Sequence, residues 1–228
     1  CRTSSNWIMP QTTVTSARVV ILSAPAGGGK SSLARALVES CDTVVASVSH
    51  TTRPRREGET DGVDYFFVDE LAFEKMIEAG DFLEYARVFG HCYGTSRTAV
   101  DQFLARGKSV VLDIDWQGAQ EVRRNVADVV SVYILPPSAE TLARRLVSRG
   151  RDNIEEIRER MAEAASEMSH HVEYDHVIVN ADVAAALVEL RALVLNGVVP
   201  DSARGFNIEA LVHCAKNVRL KTSDAASL

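Results

Sequence analysis

Ser23-Ala24-Pro25-Ala26-Gly27-Gly28-Gly29-Lys30-Ser31-Ser32 is the stretch on which the reading of this chain turns. Val19-Val20-Ile21-Leu22 precedes it, an apolar and β-branched run with the length of a buried strand. Leu33, Ala34, Leu37 and Val38 follow at helical spacing. A strand feeding a glycine-rich turn that opens a helix is the context of a phosphate-binding loop. Glycines let the backbone approach a polyphosphate, and successive N–H groups at the helix start point at it. Ala24, Pro25, Ala26, Gly27, Gly28 and Gly29 then read as a loop that cradles a nucleotide's phosphates, with Lys30, Ser31 and Ser32 at its helical end. Lys30 reaches the β/γ-phosphates and the Ser31 hydroxyl coordinates Mg²⁺. Against the pattern G-x-x-x-x-G-K-[ST], the first glycine is replaced by Ala24, which resists φ > 0 where glycine does not. An incidental Lys-Ser after a glycine turn is the alternative, disfavoured by the strand before it and the helix after it.

The 228 residues favour one domain, or one core with an inserted lobe. Hydrophobic and charged fractions of 46% and 25% fit an ordinary globular chain rather than a disordered one. No apolar run approaches the roughly 18–20 residues of a membrane span, and the N-terminus lacks an apolar signal core. Cys1, Cys41, Cys92 and Cys214 are scattered with no C-x-x-C pair, so neither a zinc site nor a disulfide framework is expected, and a cytoplasmic location is. A net charge of −6 argues against a nucleic-acid partner, whose footprint is basic. The charge is uneven: Arg53, Arg55 and Arg56 cluster, and six arginines fall between Arg144 and Arg160. Two local arginine concentrations in an acidic chain point to small phosphorylated ligands.

Along the chain, Thr43 to Val48 reads as a second strand, ending in Ser49-His50-Thr51-Thr52-Arg53-Pro54-Arg55-Arg56-Glu57-Gly58-Glu59. An isolated arginine trio is a solvated loop more often than a site, but ligands of open α/β sheets bind outside the carboxyl ends of strands. Tyr65–Val68 is an aromatic β-rich run, and 70–79 is a short helix stopped by Gly80. Phe82–Phe89 alternates imperfectly as a strand, with Gly90 to Thr95 turning out of it. The stretch 50–96 therefore looks like a small insertion in the α/β core.

A βα rhythm resumes with a helix over 96–106 and a strand over Ser109–Asp115. Its acids stand at the carboxyl end, a Walker-B-like place for Asp113. A helix over 117–126 and a strand over 129–135 follow. Ser138 caps a helix to about Ser148, with Thr141 rather than Glu at N3. A long helix runs from Ile154 to about His170, where His170-His171 reads as a frayed end rather than a metal site. Val177–Asn180 is a last strand, Asp182 opens a final core helix to Asn196, and Ile208, Leu211, Val212 and Ala215 are spaced for one short amphipathic helix. The chain opens at Cys1 rather than Met, and residues 1–16 read as a disordered extension.

Taken together, residues 18–196 resemble the guanylate kinases. The motifs carrying this, in order, are A-P-A-G-G-G-K-S, S-H-T-T-R-P-R-R-E-G-E, D-Y-F-F-V, F-L-E-Y-A, H-C-Y-G-T, L-D-I-D-W-Q-G, R-R-L-V-S-R-G and V-I-V-N. The resemblance implies a P-loop α/β fold, a parallel five-stranded sheet flanked by helices, over 17–197. It adds a GMP-binding lobe at about 50–96, a helical lid at about 144–161, and an extension of unassigned role at 198–228. It implies transfer of the γ-phosphoryl group of Mg²⁺-bound ATP to GMP, in a monomer or homodimer. Arg53, Arg56, Tyr65 and Tyr93 would hold the GMP phosphate, and Ser49, Glu84, Thr95 and Asp115 would surround guanine. Guanine offers N1–H and N2–H₂ as donors, and one ionised Glu84 accepts both, whereas adenine would leave it unpaired. Arg145, Arg149 and Arg160 would close over the transferring group, Asn180 would lie near adenine, and Asp113 would support the metal's water shell.

One departure leaves an alternative open. The family pattern reads T-T-R-x-P-R-x-G-E, whereas here Pro54 comes one place early and Arg55 stands at the usual proline. Arg56 keeps the matching register, yet Arg55 is chemically able to compete for the phosphate. Two rival readings are an interaction module of the same fold that binds phosphorylated peptides, and a kinase of a phosphorylated sugar. The first generally lacks a working P-loop and the second the base-reading lobe. Lys30, Ser31 and the arginines of the lid weigh against one, Glu84, Tyr93 and Thr95 against the other.

Overall fold

Strand β1 (Val19–Ser23) is buried along its whole length and flanked on both sides by parallel partners. The computed structural model describes residues 16–88, 90–148 and 154–218. After β1 come α1 (Lys30–Glu39), β2 (Val44–Ala46), β3 (His50–Thr51), β4 (Phe66–Phe67), α2 (Glu70–Ala79), β5 (Phe82–Val88), β6 (His91–Ser96) and α3 (Arg97–Ala105). The chain continues through β7 (Ser109–Asp113), α4 (Trp116–Asn125), β8 (Val129–Leu135), α5 (Ala139–Val147), α6 (Ile154–Met168), a 3₁₀ turn (Ser169–Glu173), β9 (His176–Val179), α7 (Val183–Asn196) and α8 (Ile208–Lys216).

Five strands make the expected parallel sheet in the order β2-β7-β1-β8-β9. Side chains alternate across a strand, so successive residues of β1 serve different layers. Val19 and Ile21 join Leu112, Leu142, Leu146, Met161 and Leu211 on one face. Val20 and Leu22 join Leu33, Leu37, Leu190 and Leu193 on the other. A strand covered on both faces must be continuously apolar, which is why the run 19–22 carries no polar alternation. Each such fully buried Leu or Ile contributes about 1.5–3 kcal/mol relative to exposure.

Residues 50–96 form a separate small sheet, order β4-β3-β6-β5, with β6 antiparallel to both β3 and β5. The detail of this sheet corrects the sequence reading. The segment expected to turn, 90–95, is strand β6, central in this sheet; its polar, mixed composition hides a ladder whose partners lie elsewhere in the chain. The second strand of the large sheet is shorter than 43–48, because His50 already pairs with Gly94 in the small sheet. Nor are His170 and His171 frayed. His170 stacks on Trp116 at 3.8 Å and 7°, and its Nδ1 lies 2.6 Å from Glu173 Oε1. Helix caps fall where the sequence puts them: Ser138 accepts from Thr141 N, and Asp182 accepts from Ala185 N. Helix α8 buries Leu211 and Ala215 in the layer that holds α5 and α6. The expected disorder of 1–16 falls almost wholly outside the described residues.

Candidate active site

The loop after β1 turns through left-handed Gly27 (φ 81°) and Gly29 (φ 95°), and α1 opens with no side-chain cap. Its first N–H groups are thus left to an external acceptor, at the positive end of the helix dipole. A side chain at position 29 is excluded twice over: its Cβ would overlap Asn180 Nδ2, in a conformation L residues avoid. Asn180, almost fully buried, donates Nδ2 to the Gly28 carbonyl at 3.1 Å, while its Oδ1 is buried with no partner among the described residues. Arg145 donates to the carbonyls of Gly28 at 3.4 Å and Asn180 at 3.1 Å. Ala26 N–H donates to Glu167 Oε2 at 3.0 Å, tying the loop to α6.

Lys30 Nζ sits 2.7 Å from Asp113 Oδ1 and donates to the Ile114 carbonyl at 2.9 Å. Burial works to raise the Asp113 carboxyl, but the Lys30 charge and hydrogen bonds from Lys30 and Ser31 outweigh it and hold it below the usual range. A cation, a hydroxyl and a carboxylate therefore meet where β1 and β7 end side by side.

On the facing lobe, β5 carries a bulge between Phe82 and Glu84. The bulge breaks the two-residue alternation, so Phe82, Leu83 and Glu84 are all buried in succession. Phe82 stacks on Phe73 at 4.6 Å and Leu83 enters the main core, which leaves Glu84 facing the sheet edge. Thr95 Oγ1 donates to Glu84 Oε1 at 2.5 Å. Burial pushes the Glu84 carboxyl up to about 7, against the lowering effect of the Thr95 hydrogen bond; Asp115 and Glu121 push the same way as burial. Arg53 lies over the Tyr65 ring at 5.4 Å, and Tyr65 and Tyr93 meet edge to face at 6.0 Å. The Tyr65 hydroxyl is raised by burial and then by the Asp113 charge, so lobe and sheet edge share one field. Lys30, Ser49, Tyr65, Glu84, Tyr93, Asp113 and Asp115 line a single cleft of about 170 Å³.

The family model described as guanylate kinase matches residues 16–196. The chain belongs to the guanylate kinase family. It is similar to the guanylate kinase of Alkalilimnicola ehrlichii, 55% identical over 173 residues that cover 76% of this chain and 85% of that protein. It is similar to that of Haemophilus ducreyi, 48% identical over 194 residues covering 84% and 94%. Among solved structures, guanylate kinase from Anaplasma phagocytophilum superposes with a TM-score of 0.64 at 36% identity, covering 79% of this chain and 85% of that one.

For a member of the guanylate kinase family, most sequence-expected residues converge. Arg53, Tyr65, Tyr93, Glu84 and Thr95 gather in the lobe, and Lys30, Ser31 and Asp113 on the sheet. Asp115 lines the cleft, but its Oδ1 caps α4 by accepting from Gly118 N at 2.9 Å and its Oδ2 accepts from Gln117. Arg145 rests on the P-loop and Asn180 carbonyls, Arg160 is exposed on α6, and Arg149 lies outside the described residues. Arg55 and Arg56 are both exposed, yet of the two only Arg56 is among the charges lowering the Glu59 carboxyl, after the hydrogen bonds from Arg53 and from the Arg56 backbone. If Arg56 holds the register, Arg56→Ala is expected to weaken GMP binding roughly tenfold or more and Arg55→Ala less than threefold, measured by calorimetry.

Gly118 borders the cleft in a way that reading the chain residue by residue missed. A Cβ there would meet Glu84 Oε2 at 2.6 Å, and Glu84 is already fixed by Thr95. Gly118→Ala is expected to push the carboxylate aside and raise the GMP KM by about tenfold, at little cost to ATP, a strain of about 1–2 kcal/mol. The signal was present as a glycine in the first turn of an otherwise good helix, where it lowers helix propensity.

Proposed function

We propose that this chain transfers the γ-phosphoryl group of ATP to GMP, giving ADP and GDP, with ATP on the P-loop and GMP on the small sheet. The observation that supports this best is the shared cleft: the P-loop lysine, Lys30, and the buried Glu84 of the lobe face one space. The P-loop N–H groups and Lys30 hold the donor phosphates; Arg53, Arg56, Tyr65 and Tyr93 hold the acceptor phosphate. Glu84, oriented by Thr95 and flanked by Ser49 and Asp115, accepts N1–H and N2–H of guanine. A site built to accept those donors rejects a base lacking them by on the order of 10⁴. Asn180 Oδ1, buried with no hydrogen-bond partner among the described residues, would accept from the exocyclic amine of adenine.

Direct transfer needs alignment, charge neutralisation and water exclusion rather than a covalent intermediate. Arg145, Arg149 and Arg160 act on the transferring group when the lid approaches, so charge is completed only with both substrates bound. The adjacent Ser31 hydroxyl and Asp113 carboxylate fit Mg²⁺, an oxygen-seeking cation usually held by one or two side chains plus substrate phosphates. Bound there, Mg²⁺ would neutralise charge on the donor phosphates. Among the described residues no helix is long and apolar enough to cross a membrane, and no group of three or more His, Cys, Asp or Glu is arranged to hold a metal ion by itself. A cytoplasmic role in purine nucleotide metabolism, as monomer or homodimer, accords with this reading. The test is a coupled ADP-release assay over a panel of nucleoside monophosphates with a no-acceptor control. GMP-dependent release is expected; release that ignores the acceptor, or prefers another base, would sink the proposal.

A further inference from the structure

We propose that Glu59 is a positioning residue that preforms the acceptor-phosphate site by stapling Arg53 to the backbone of Arg56. This inference rests on the function proposed above. Arg53, Arg55 and Arg56 lie within four positions, and like charges so close disfavour one fixed arrangement. Glu59 reverses that preference. Its Oε1 accepts from Arg53 Nη2 at 2.6 Å, and its Oε2 accepts from the Arg56 backbone N–H at 2.7 Å. One carboxylate thus joins the first arginine of the turn to the last.

The rest of the Arg53 side chain is fixed from other directions. Its Nη1 donates to the Pro54 carbonyl at 2.8 Å, and its guanidinium lies 5.4 Å from the Tyr65 ring centre and 5.8 Å from that of Phe67. Its backbone N–H donates to Thr51 Oγ1 at 3.1 Å, which anchors the turn to β3. The Arg53 side chain is only 9% exposed and that of Glu59 20% exposed, so the pair is largely withdrawn from water. An arginine side chain has many rotamers to lose, and a guanidinium held in advance loses less on meeting an anion. The hydrogen bond from Arg53, and then that from Arg56 N, hold the Glu59 carboxyl below the usual range, so it stays an acceptor at neutral pH. Preorganisation of this kind acts on the phosphate and not on the base, because Glu84 and Thr95 belong to other strands.

The test compares binding of GMP and of guanosine, by calorimetry, to the unaltered chain and to Glu59→Ala and Glu59→Gln, with melting temperatures recorded alongside. Glu59→Ala is expected to weaken GMP by on the order of 10- to 100-fold, the loss typical of charged hydrogen bonds, while guanosine binding and the ATP KM stay within twofold. Glu59→Gln, which keeps one acceptor oxygen and the shape, is expected to recover part of the loss. Unchanged or tighter GMP binding by Glu59→Ala would mean that the carboxylate competes with phosphate, and would overturn the proposal. Equal loss for GMP and guanosine in both variants would also overturn it, by showing a merely structural role. Failure of the unaltered chain to bind GMP at all would overturn the proposed function as well, an outcome distinct from the other two.

Discussion

Lys30→Ala is expected to lower kcat by about 10³-fold or more, some 4 kcal/mol of transition-state stabilisation, with GMP affinity nearly unchanged. Lys30 is carried by α1 into the cleft, where it lies between Asp113 and the Ile114 carbonyl. Removing it takes away the charge that meets the donor phosphates. It also leaves Asp113 without its ion pair, a second negative charge facing an anionic substrate. Both effects act on the ATP side. On the GMP side Lys30 contributes only the weakest of the influences on Glu84, a slight lowering of its carboxyl, so the base site is barely disturbed. Single-turnover rates and GMP titration of the same variant measure the two halves separately. Near-normal turnover would remove the P-loop reading altogether.

Glu84→Gln is the second large effect: the preference for GMP over AMP is expected to fall by on the order of 10³-fold or more. A carboxylate accepts guanine N1–H and N2–H together, whereas an amide offers one acceptor and one donor, and that donor faces a donor. The same residue gives a pH signature. Its carboxyl, pushed up to about 7 chiefly by burial, must be ionised to accept both donors. GMP affinity of the unaltered chain should therefore drop about tenfold per unit below roughly pH 7, and the Gln variant should lack this dependence.

Stability moves in the opposite sense. A native carboxyl raised from 4.5 to about 7 binds more protons than the unfolded chain between those values. Its contribution is full below about pH 4.5 and is lost as pH rises through 7, a swing of roughly 3 kcal/mol that Glu84→Gln should flatten. Melting temperature against pH for both proteins measures it. An unchanged GMP/AMP ratio in the Gln variant would take Glu84 out of base recognition.

The two variants probe parts that were unequally legible in the sequence. The P-loop could be read because every constraint on it is local: an apolar strand, glycines with left-handed φ, and a helix start follow one another within fifteen residues. Its one anomaly, Ala24, is accommodated nearby, since a Cβ at Gly28 would lie 2.8 Å from the Ala24 Cβ. Strands β7 and β8 were legible for a related reason, since their central residues are buried and mostly apolar. Strand β6 was not, because His-Cys-Tyr-Gly-Thr-Ser has no hydrophobic alternation and gains its ladder from β5, its hairpin neighbour, and from β3, about forty residues back.

What the sequence by itself determined is the set of chemical groups and the local elements carrying them: a phosphate loop, an acid ending a buried strand, three arginines around Pro54, and one glutamate in an aromatic strand. What only the tertiary structure decided is which of them face one another. Glu84 reaches the cleft because a bulge in β5 sets aside strict alternation, because Gly118 leaves room for its carboxylate, and because Thr95, on the neighbouring strand, holds it. The physical reason is that backbone preferences act over a few residues, whereas the direction of a buried charge depends on groups brought beside it by pairing across the small sheet and packing against α4.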